Sequence, residues 1–252
     1  MSGEFSSDWL ALREPADAAA RDTGLADELR DRLAPPLTVR DLGCGTGSMG
    51  RWLAPRLRGP QHWVLMDRDP ALLTHAGTHL PDAVTVETRR GDVTALTDSD
   101  LAGTDLVTCS ALLDLLTADE VDKLVAACAA SGTAALFTLS VTGDVTLDPA
   151  DPLDGVIADA FNAHQRRDGR LGPDAADVVA AAFAQAGATV SVRETPWRLG
   201  PDNAALASEW LAGWAGAAAE QRPDLRLGDY LRRRRSEAFS GEVGHKDVLA
   251  IF

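Results

Sequence analysis

The chain has 252 residues, 45% of them hydrophobic and 25% charged, with a formal net charge of −14. That is room for one substantial domain with a subsidiary cap, and no apolar run approaches the ~20 residues a membrane span needs. The acidic balance weighs against nucleic acid, whose backbone is gripped by clustered cations. The opening "MSGEFSSDW" has neither the basic stretch nor the apolar stretch of a secretory leader. Three cysteines, Cys44, Cys109 and Cys128, show no close-spaced pair, no CxxxCxxC and no zinc-finger spacing. An odd, sparse count points to reduced thiols and a cytoplasmic location.

Residues 1–36 read as a helical arm. In "TGLADELRDRL" (23–33), Leu25, Leu29 and Leu33 fall at i, i+4, i+8 with charges between them, and Pro35–Pro36 stops the helix. A strand holding Val39 and Leu42 follows, then a glycine turn and a helix carrying Met49, Trp52 and Leu53. "HWVLMD" (62–67) is a continuous apolar run, as expected of a parallel strand buried on both faces. Asp69 and Pro70 then supply an N-cap and a first-position proline. A third strand runs through Val84 and Val86 into "RRGD". A fourth, "TDLVTCS", leads to a helix announced by a Thr117–Glu120 capping box, with a stripe of Val121, Leu124, Val125 and Cys128. "TAALFTLSV" is the fifth strand. Strands and helices alternating over short connections predict an α/β fold, a doubly wound parallel sheet.

After residue 145 the rhythm changes. "TGDVTLDPADPLDG" (142–155) reads as a loop, followed by a helix through Ile157 and Phe161 and another from Pro173 to Gly187. Next come the strand "ATVSVRE" (188–194), a helix over 202–221 with Leu206, Trp210 and Trp214 on one face, and the strand "HKDVLAIF" (245–252). The expected division is a core over 37–145 and helical cap elements over 146–240, within a single domain over 1–252. "RRRR", Arg232–Arg235, falls in a helical-looking segment and must point around its full circumference. It reads as a solvated face partnered by nearby acids.

The turn in "VRDLGCGTGSMG" (39–50) fits two fingerprints. Gly45, Gly47 and Gly50 satisfy the GxGxxG of dinucleotide sites. Gly43, Gly45 and Gly47 form GxGxG with an acid, Asp41, two positions ahead. Either register lets backbone approach a ligand beside a helix N-terminus. Charge separates them: Asp41 would repel a pyrophosphate, whereas it favours the ammonium and sulfonium of S-adenosylmethionine. Asp67, at the end of the second strand, can accept from ribose hydroxyls in either case. Asp92, in "GDV" (91–93), can accept from the adenine amine, with Val93 offering its backbone amide.

"DLGCGTG", "LMDRDPALL", "RRGDV" and "DLVTCSALLDLL" occur in the order and spacing of the class I S-adenosylmethionine-dependent methyltransferases, which the chain resembles over about residues 37–145. The resemblance implies a Rossmann-like, seven-stranded sheet with a late antiparallel strand, S-adenosyl-L-methionine as cofactor, and a cradle of Asp41, Gly43, Cys44, Gly45 and Gly47. It places Asp67, Arg68, Asp92, Val93 and Ser110 around the adenosine. "FNAHQRRDGRLGPD" (161–174), "PWRLG" and "EWLAGW" are similar to segments of poorly characterised bacterial methyltransferases, which carries no substrate.

Candidates for the acceptor side come from outside the core. Arg13, in an arm expected to fold over the cofactor, can grip the cofactor's carboxylate or an anionic substrate, or simply tie down the arm. His164 is the candidate catalytic base, near neutral pH, with Gln165 and Arg166 orienting the substrate; a helix-terminal structural role is the alternative. Trp197, Trp210 and Trp214 can wall an apolar pocket or serve as core. Glu220 and Tyr230 are possible polar contacts. His245 reads as a surface residue. His75 and His79, at i, i+4 on a helix, lack a third ligand, and no metal is expected. The expected partner is a small-molecule methyl acceptor on O, N or C. A tRNA or protein substrate is the alternative, with "RRRR" as its only support, and a non-catalytic cofactor-binding subunit is the other.

Overall fold

In the structure, a computed structural model, residues 6–252 are described. Ser6 accepts from the Trp9 amide (3.1 Å) and opens α1 (Ser7–Ala20), and Asp22 accepts from the Leu25 amide (2.8 Å) to open α2 (Thr23–Arg32). Then come β1 (Leu37–Leu42), α3 (Ser48–Leu53), β2 (Gln61–Asp67) and α4 (Pro70–Ala76), which Asp69 caps as expected. β3 (Val84–Arg90), α5 (Asp98–Leu101), β4 (Leu106–Ser110) and α6 (Ala118–Ser131) follow, the last opened by the reciprocal Thr117–Glu120 box. The second half holds β5 (Ala134–Asp148), α7 (Leu153–Gln165), α8 (Ala175–Gln185), β6 (Thr189–Glu194), β7 (Trp197–Leu199), α9 (Ala204–Gln221), α10 (Gly228–Ser236) and β8 (Ser240–Ile251).

The sheet order is β3-β2-β1-β4-β5-β8-β6, with β7 paired to the start of β8. β3, β2, β1, β4 and β5 are parallel, and β8 runs antiparallel between β5 and β6. The seven expected strands lie along this path; short β7 is an eighth. Period-two alternation divides the core. Val39, Trp63, Leu65, Leu106 and Leu136 pack under α2 and α3, while Met66, Val107, Cys109, Ala135 and Phe137 pack under α6 and α8. β2 and β4 flank β1 on opposite sides, so the chain reverses direction across the sheet there. The carboxyl ends of β1 and β4 therefore open the crevice in which such sheets bind ligands.

Residues 142–148, expected as loop, continue β5. Val145–Asp148 pair with Ser240–Val243, after a register shift that Gly143 (φ 79°) accommodates. Leu139 within this strand also has positive φ (58°), and Asp247 holds that bend. The Asp247 carboxylate accepts from the Leu139 amide (2.8 Å), the Thr195 hydroxyl (3.0 Å) and the Asp22 amide (2.9 Å). β8 begins at Ser240 rather than His245, and α2 stops at Arg32, short of Leu33. His79 lies beyond α4, so it does not share a helix face with His75.

α7, α9 and α10 pack as a cap around Leu147, Ile157, Trp214 and Tyr230. Of the four arginines, Arg232 pairs with Asp229 and Arg233 with Asp151 (2.7 Å), both on the surface. Arg234 is buried against Asp154 (2.7 Å), which also accepts from the Tyr230 hydroxyl (2.8 Å). One of the four thus serves the cap's interior rather than a solvated face. Among the described residues no helix is long and apolar enough to cross a membrane, and no three His, Cys, Asp or Glu side chains converge as metal ligands. All three cysteines are buried and free.

Candidate active site

Gly43, Gly45 and Gly47 have φ of 61°, 54° and 86°, a left-handed run that side chains avoid. A Cβ on Gly47 would overlap the Ala76 carbonyl oxygen, and one on Gly43 would stand 3.1 Å from the Leu112 side chain. Gly50 lacks positive φ, and its Cβ would meet only the Leu80 and Trp63 side chains. The strained glycines are those of GxGxG, and Gly50 serves helix–sheet packing. The turn is held by hydrogen bonds from the Cys44 amide to the Met66 carbonyl (2.9 Å) and from the Gly45 amide to Asp67 Oδ2 (2.9 Å). Asp67 Oδ1 takes the Asp69 amide (2.9 Å), so β2 and the turn share one carboxylate.

Asp41 lies buried at the end of β1. Thr108 donates to its Oδ1 (2.7 Å), while Oδ2 has no partner among the described residues. Burial pushes the carboxyl up to about 7, against the Thr108 hydrogen bond and the charge of Arg21. Arg21, which sequence reasoning missed, is buried where α1 ends. Its Nη2 donates to Ser48 Oγ (3.1 Å) and Ser110 Oγ (3.0 Å), its Nε to Thr138 Oγ1 (3.4 Å), and its Nη1 has no partner among the described residues. Burial lowers its pKa, opposed by nearby carboxylates of which Asp17 is the strongest. The crevice therefore carries one unsatisfied anionic atom and one unsatisfied cationic atom, the complement of an amino acid's ammonium and carboxylate. Together with the cradle, these groups fit S-adenosylmethionine.

This arrangement has a measurable consequence. The raised Asp41 pKa means that the folded state holds more protons than the unfolded one, so stability contributed below about pH 4 is lost as pH rises towards 7. A cation bound beside Asp41 pulls that pKa back down. S-adenosylmethionine binding near pH 7 is therefore expected to release a fraction of a proton. Calorimetry in buffers of different ionisation enthalpy reads it, and Asp41→Asn should abolish the release.

The other predicted residues divide. Asp92 is exposed, and its Oδ1 accepts from the Thr94 amide (3.0 Å) and hydroxyl (2.9 Å), which holds the "GDV" turn beyond β3. Val93 is half-buried beside it, and Arg68 is exposed after β2. Helix α1 does fold over the turn: a Cβ on Gly45 would come 3.1 Å from Leu10, and Glu14 pairs with Arg51 (2.6 Å). Arg13, on the same helix, bonds Asp17 through Nε (2.9 Å) and lies 4.9 Å over the Trp197 ring.

His164 sits in the α7–α9 seam with both ring nitrogens engaged, Nδ1 at 3.1 Å from Gln165 Oε1 and Nε2 at 3.4 Å from Glu220 Oε2. Arg166 is spent on a fork to Asp174 (2.7 and 2.9 Å). Trp214 is only 2% exposed, stacked on Trp210 at 5.2 Å inside the cap, so it is core rather than an open wall. Gln165 reaches towards Asp114, a buried carboxyl after β4 that desolvation pushes up and that Arg13 and Arg170 hold down. His245, expected on the surface, is 4% exposed because β8 starts five residues before it and carries it under α1 and β7.

Residues 39–131 match the family model described as a methyltransferase domain. No curated protein matches the chain in sequence. Among solved structures, the chain is similar to the YcgJ protein from Bacillus subtilis (15% identity, TM-score 0.53, covering 90% of this chain and 96% of that one). It is similar to mycolic acid cyclopropane synthase CmaA1 complexed with S-adenosylhomocysteine and CTAB (14%, 0.53, 97% and 94%). A third is magnesium protoporphyrin IX methyltransferase from Synechocystis PCC 6803, with bound S-adenosylhomocysteine (12%, 0.50, 100% and 90%). At these identities the structures speak for the fold, and the family model speaks for the domain. Over residues 39–131 the chain is therefore similar to a methyltransferase domain, on a fold shared with proteins solved with bound S-adenosylhomocysteine, and the GxGxG turn and the paired orphan charges fit S-adenosylmethionine.

Proposed function

We propose that the chain methylates O, N or C of a small-molecule metabolite. The observation that carries this reading is the roof over the crevice, where α1 lies across the glycine turn and leaves a lining of half-buried Arg13 over buried Trp197 and His245 rather than an open basic face. Two proteins of the same fold, the porphyrin methyltransferase and the mycolic acid cyclopropane synthase, bear the names of small molecules, which agrees with it. The one basic run is engaged with acids at Arg232, Arg233 and Arg234, which weakens the RNA or protein reading.

When bound, the cofactor supplies an activated methyl carbon for in-line displacement. The chain's part is to hold, align and exclude water. Asp41 would take the ammonium, Arg21 the carboxylate, Asp67 the ribose hydroxyls, and Asp92 with the Val93 amide the adenine. Ser110 is held by Arg21 and Thr138 at the crevice wall. Leu10 and Leu112 close apolar surface over the glycines.

Asp67→Ala is expected to weaken S-adenosylhomocysteine binding at least about tenfold, as loss of a buried charged hydrogen-bond partner does. His164→Ala should leave binding within about threefold. Isothermal calorimetry reads both, and equal effects would sink this partition of roles. Incubating a metabolite extract with methyl-labelled cofactor separates an enzyme from a non-catalytic cofactor binder; retention on RNA that falls with salt would instead favour a nucleic-acid substrate.

A further inference from the structure

Two turns before Arg21, α1 meets β7 and β8 at a cluster that the cofactor groups leave unused. Arg13 holds Asp17 through Nε alone (2.9 and 3.2 Å), and its two terminal amino groups have no partner among the described residues. Asp17 also accepts from Trp197 Nε1 (3.1 Å), so the indole on which Arg13 rests is fixed in place. Trp197 in turn packs on the His245 ring at 5.1 Å.

His245 Nδ1 stands 2.9 Å from the Val243 carbonyl oxygen. A carbonyl can only accept, so Nδ1 carries the proton and Nε2 presents a lone pair. Nε2 has no hydrogen-bond partner among the described residues. Burial first and Arg13 second hold the imidazole neutral, its pKa pushed down to about 4. The charged groups facing this cluster are Arg13, Asp17 and Arg21 from α1, Asp247 two residues along β8 and, after β4, Asp114, which feels the Arg13 charge.

We propose that this cluster is the acceptor site, where the Arg13 fork binds an oxyanion of the acceptor and His245 Nε2 receives the proton of the O–H or N–H that is methylated. The proposal rests on the methyltransferase reading of the neighbouring cradle. The acceptor's lone pair forms the bond to the methyl carbon, and the electron pair of the broken S–C bond stays on sulfur as a thioether. The acceptor's proton passes to Nε2, and the imidazolium returns it to water after release. An anion on Arg13 cancels part of the charge that holds His245 down, so the base strengthens when the right acceptor is in place. The acceptor class is then a small acid bearing a hydroxyl or amine near its carboxylate or phosphate. His164, with both nitrogens taken, is not needed as base.

The test uses the whole chain saturated with S-adenosylhomocysteine, and salicylate, anthranilate and salicylamide as probes. The two acids should bind at millimolar concentration or better and the amide markedly less. Arg13→Gln should cost the acids about tenfold or more while S-adenosylhomocysteine affinity stays within about threefold. Should Arg13→Gln fail to fold, Arg13→Lys keeps the charge and loses the fork, and should show an intermediate loss. Nitrogen-15 spectra of the imidazoles should show His245 as the neutral Nδ1–H tautomer across about pH 5 to 8, with its pKa rising when an acid probe binds. Acids and amide binding alike, no acid binding at all, or a proton on Nε2 in the free protein would each overturn the proposal. Failure of S-adenosylhomocysteine itself to bind would bring down the methyltransferase reading, and this one with it.

Discussion

Gly47→Ala is expected to remove cofactor binding and much of the stability together. At φ 86° the new Cβ pays the left-handed penalty of about 1–2 kcal/mol and also overlaps the Ala76 carbonyl oxygen, which is backbone and cannot rotate away. Either α4 or the glycine turn must move. The combined cost is on the order of 3–5 kcal/mol, which lowers Tm by roughly 10 °C in a chain of this size. Displacing the turn also carries the Gly45 amide off Asp67, so S-adenosylhomocysteine affinity should fall about a hundredfold or more. Gly50→Ala is the control: its Cβ meets movable side chains at 3.1 Å or more, and should cost about 1 kcal/mol with binding largely kept. Calorimetry and thermal melts of both variants decide it; a Gly47→Ala protein that melts and binds as wild type would show that the turn is not the cradle.

Arg21→Met should separate the same two properties. The guanidinium is buried with one amino group unpaired, so the free protein bears a desolvation cost for it. Methionine would pack beside the Trp52 ring, which lies 5.7 Å from the guanidinium carbon, while Ser48, Ser110 and Thr138 lose a donor. These effects offset, and stability should stay within about 1 kcal/mol of wild type. Binding should not be spared. A charged, buried partner for the carboxylate is worth about 2–4 kcal/mol, a loss of roughly 30- to 1000-fold in S-adenosylhomocysteine affinity. Unchanged affinity in a folded Arg21→Met protein would move the carboxylate site elsewhere.

Much of the cofactor half was legible because its rules are local. The Thr117–Glu120 box, the Asp69 cap and the continuous apolar run of β2 each depend on neighbours a few residues away, and all are present. The position of Asp41 at the end of β1 beside the turn was legible, although its burial was not. Arg21 carried no signal: in "AAARDTG" it belongs to no period and no motif, and only the folding of α1 over Ser48 and Ser110 gives it a site. His245 was hidden by glycines. A Cβ on Gly244 would overlap Thr142 Oγ1, and one on Gly241 would stand 2.5 Å from the Thr146 oxygen, because β5 passes there at close range. Those glycines are what the strand pair requires, yet in sequence they and "TGD" read as turns on both strands at once. For the tryptophans, helical spacing cannot separate a pocket wall from a core stripe. Trp214 proved core, and Trp197, off the helix, is the one that carries Arg13 and His245.

The Asp247 clamp bears on the order in which the molecule can assemble. β8 comes after every other element in sequence yet lies between β5 and β6, pairing Ala250 with Ala135. Until it inserts, β5 is an open strand edge, and the insertion is a distant, slow contact of the kind that exposes intermediates to aggregation. Asp247 also bonds the Asp22 amide, next to Arg21. An intermediate with β1 to β5 in place would already own its glycine turn and Asp41 but lack the Asp247 contact that anchors the chain beside Arg21, and so would hold the cofactor's carboxylate less firmly than the rest of it. Arrival of the last strand thus ties a firm hold on the carboxylate to completion of the fold, and cofactor present during folding would favour the finished sheet over the half-built one.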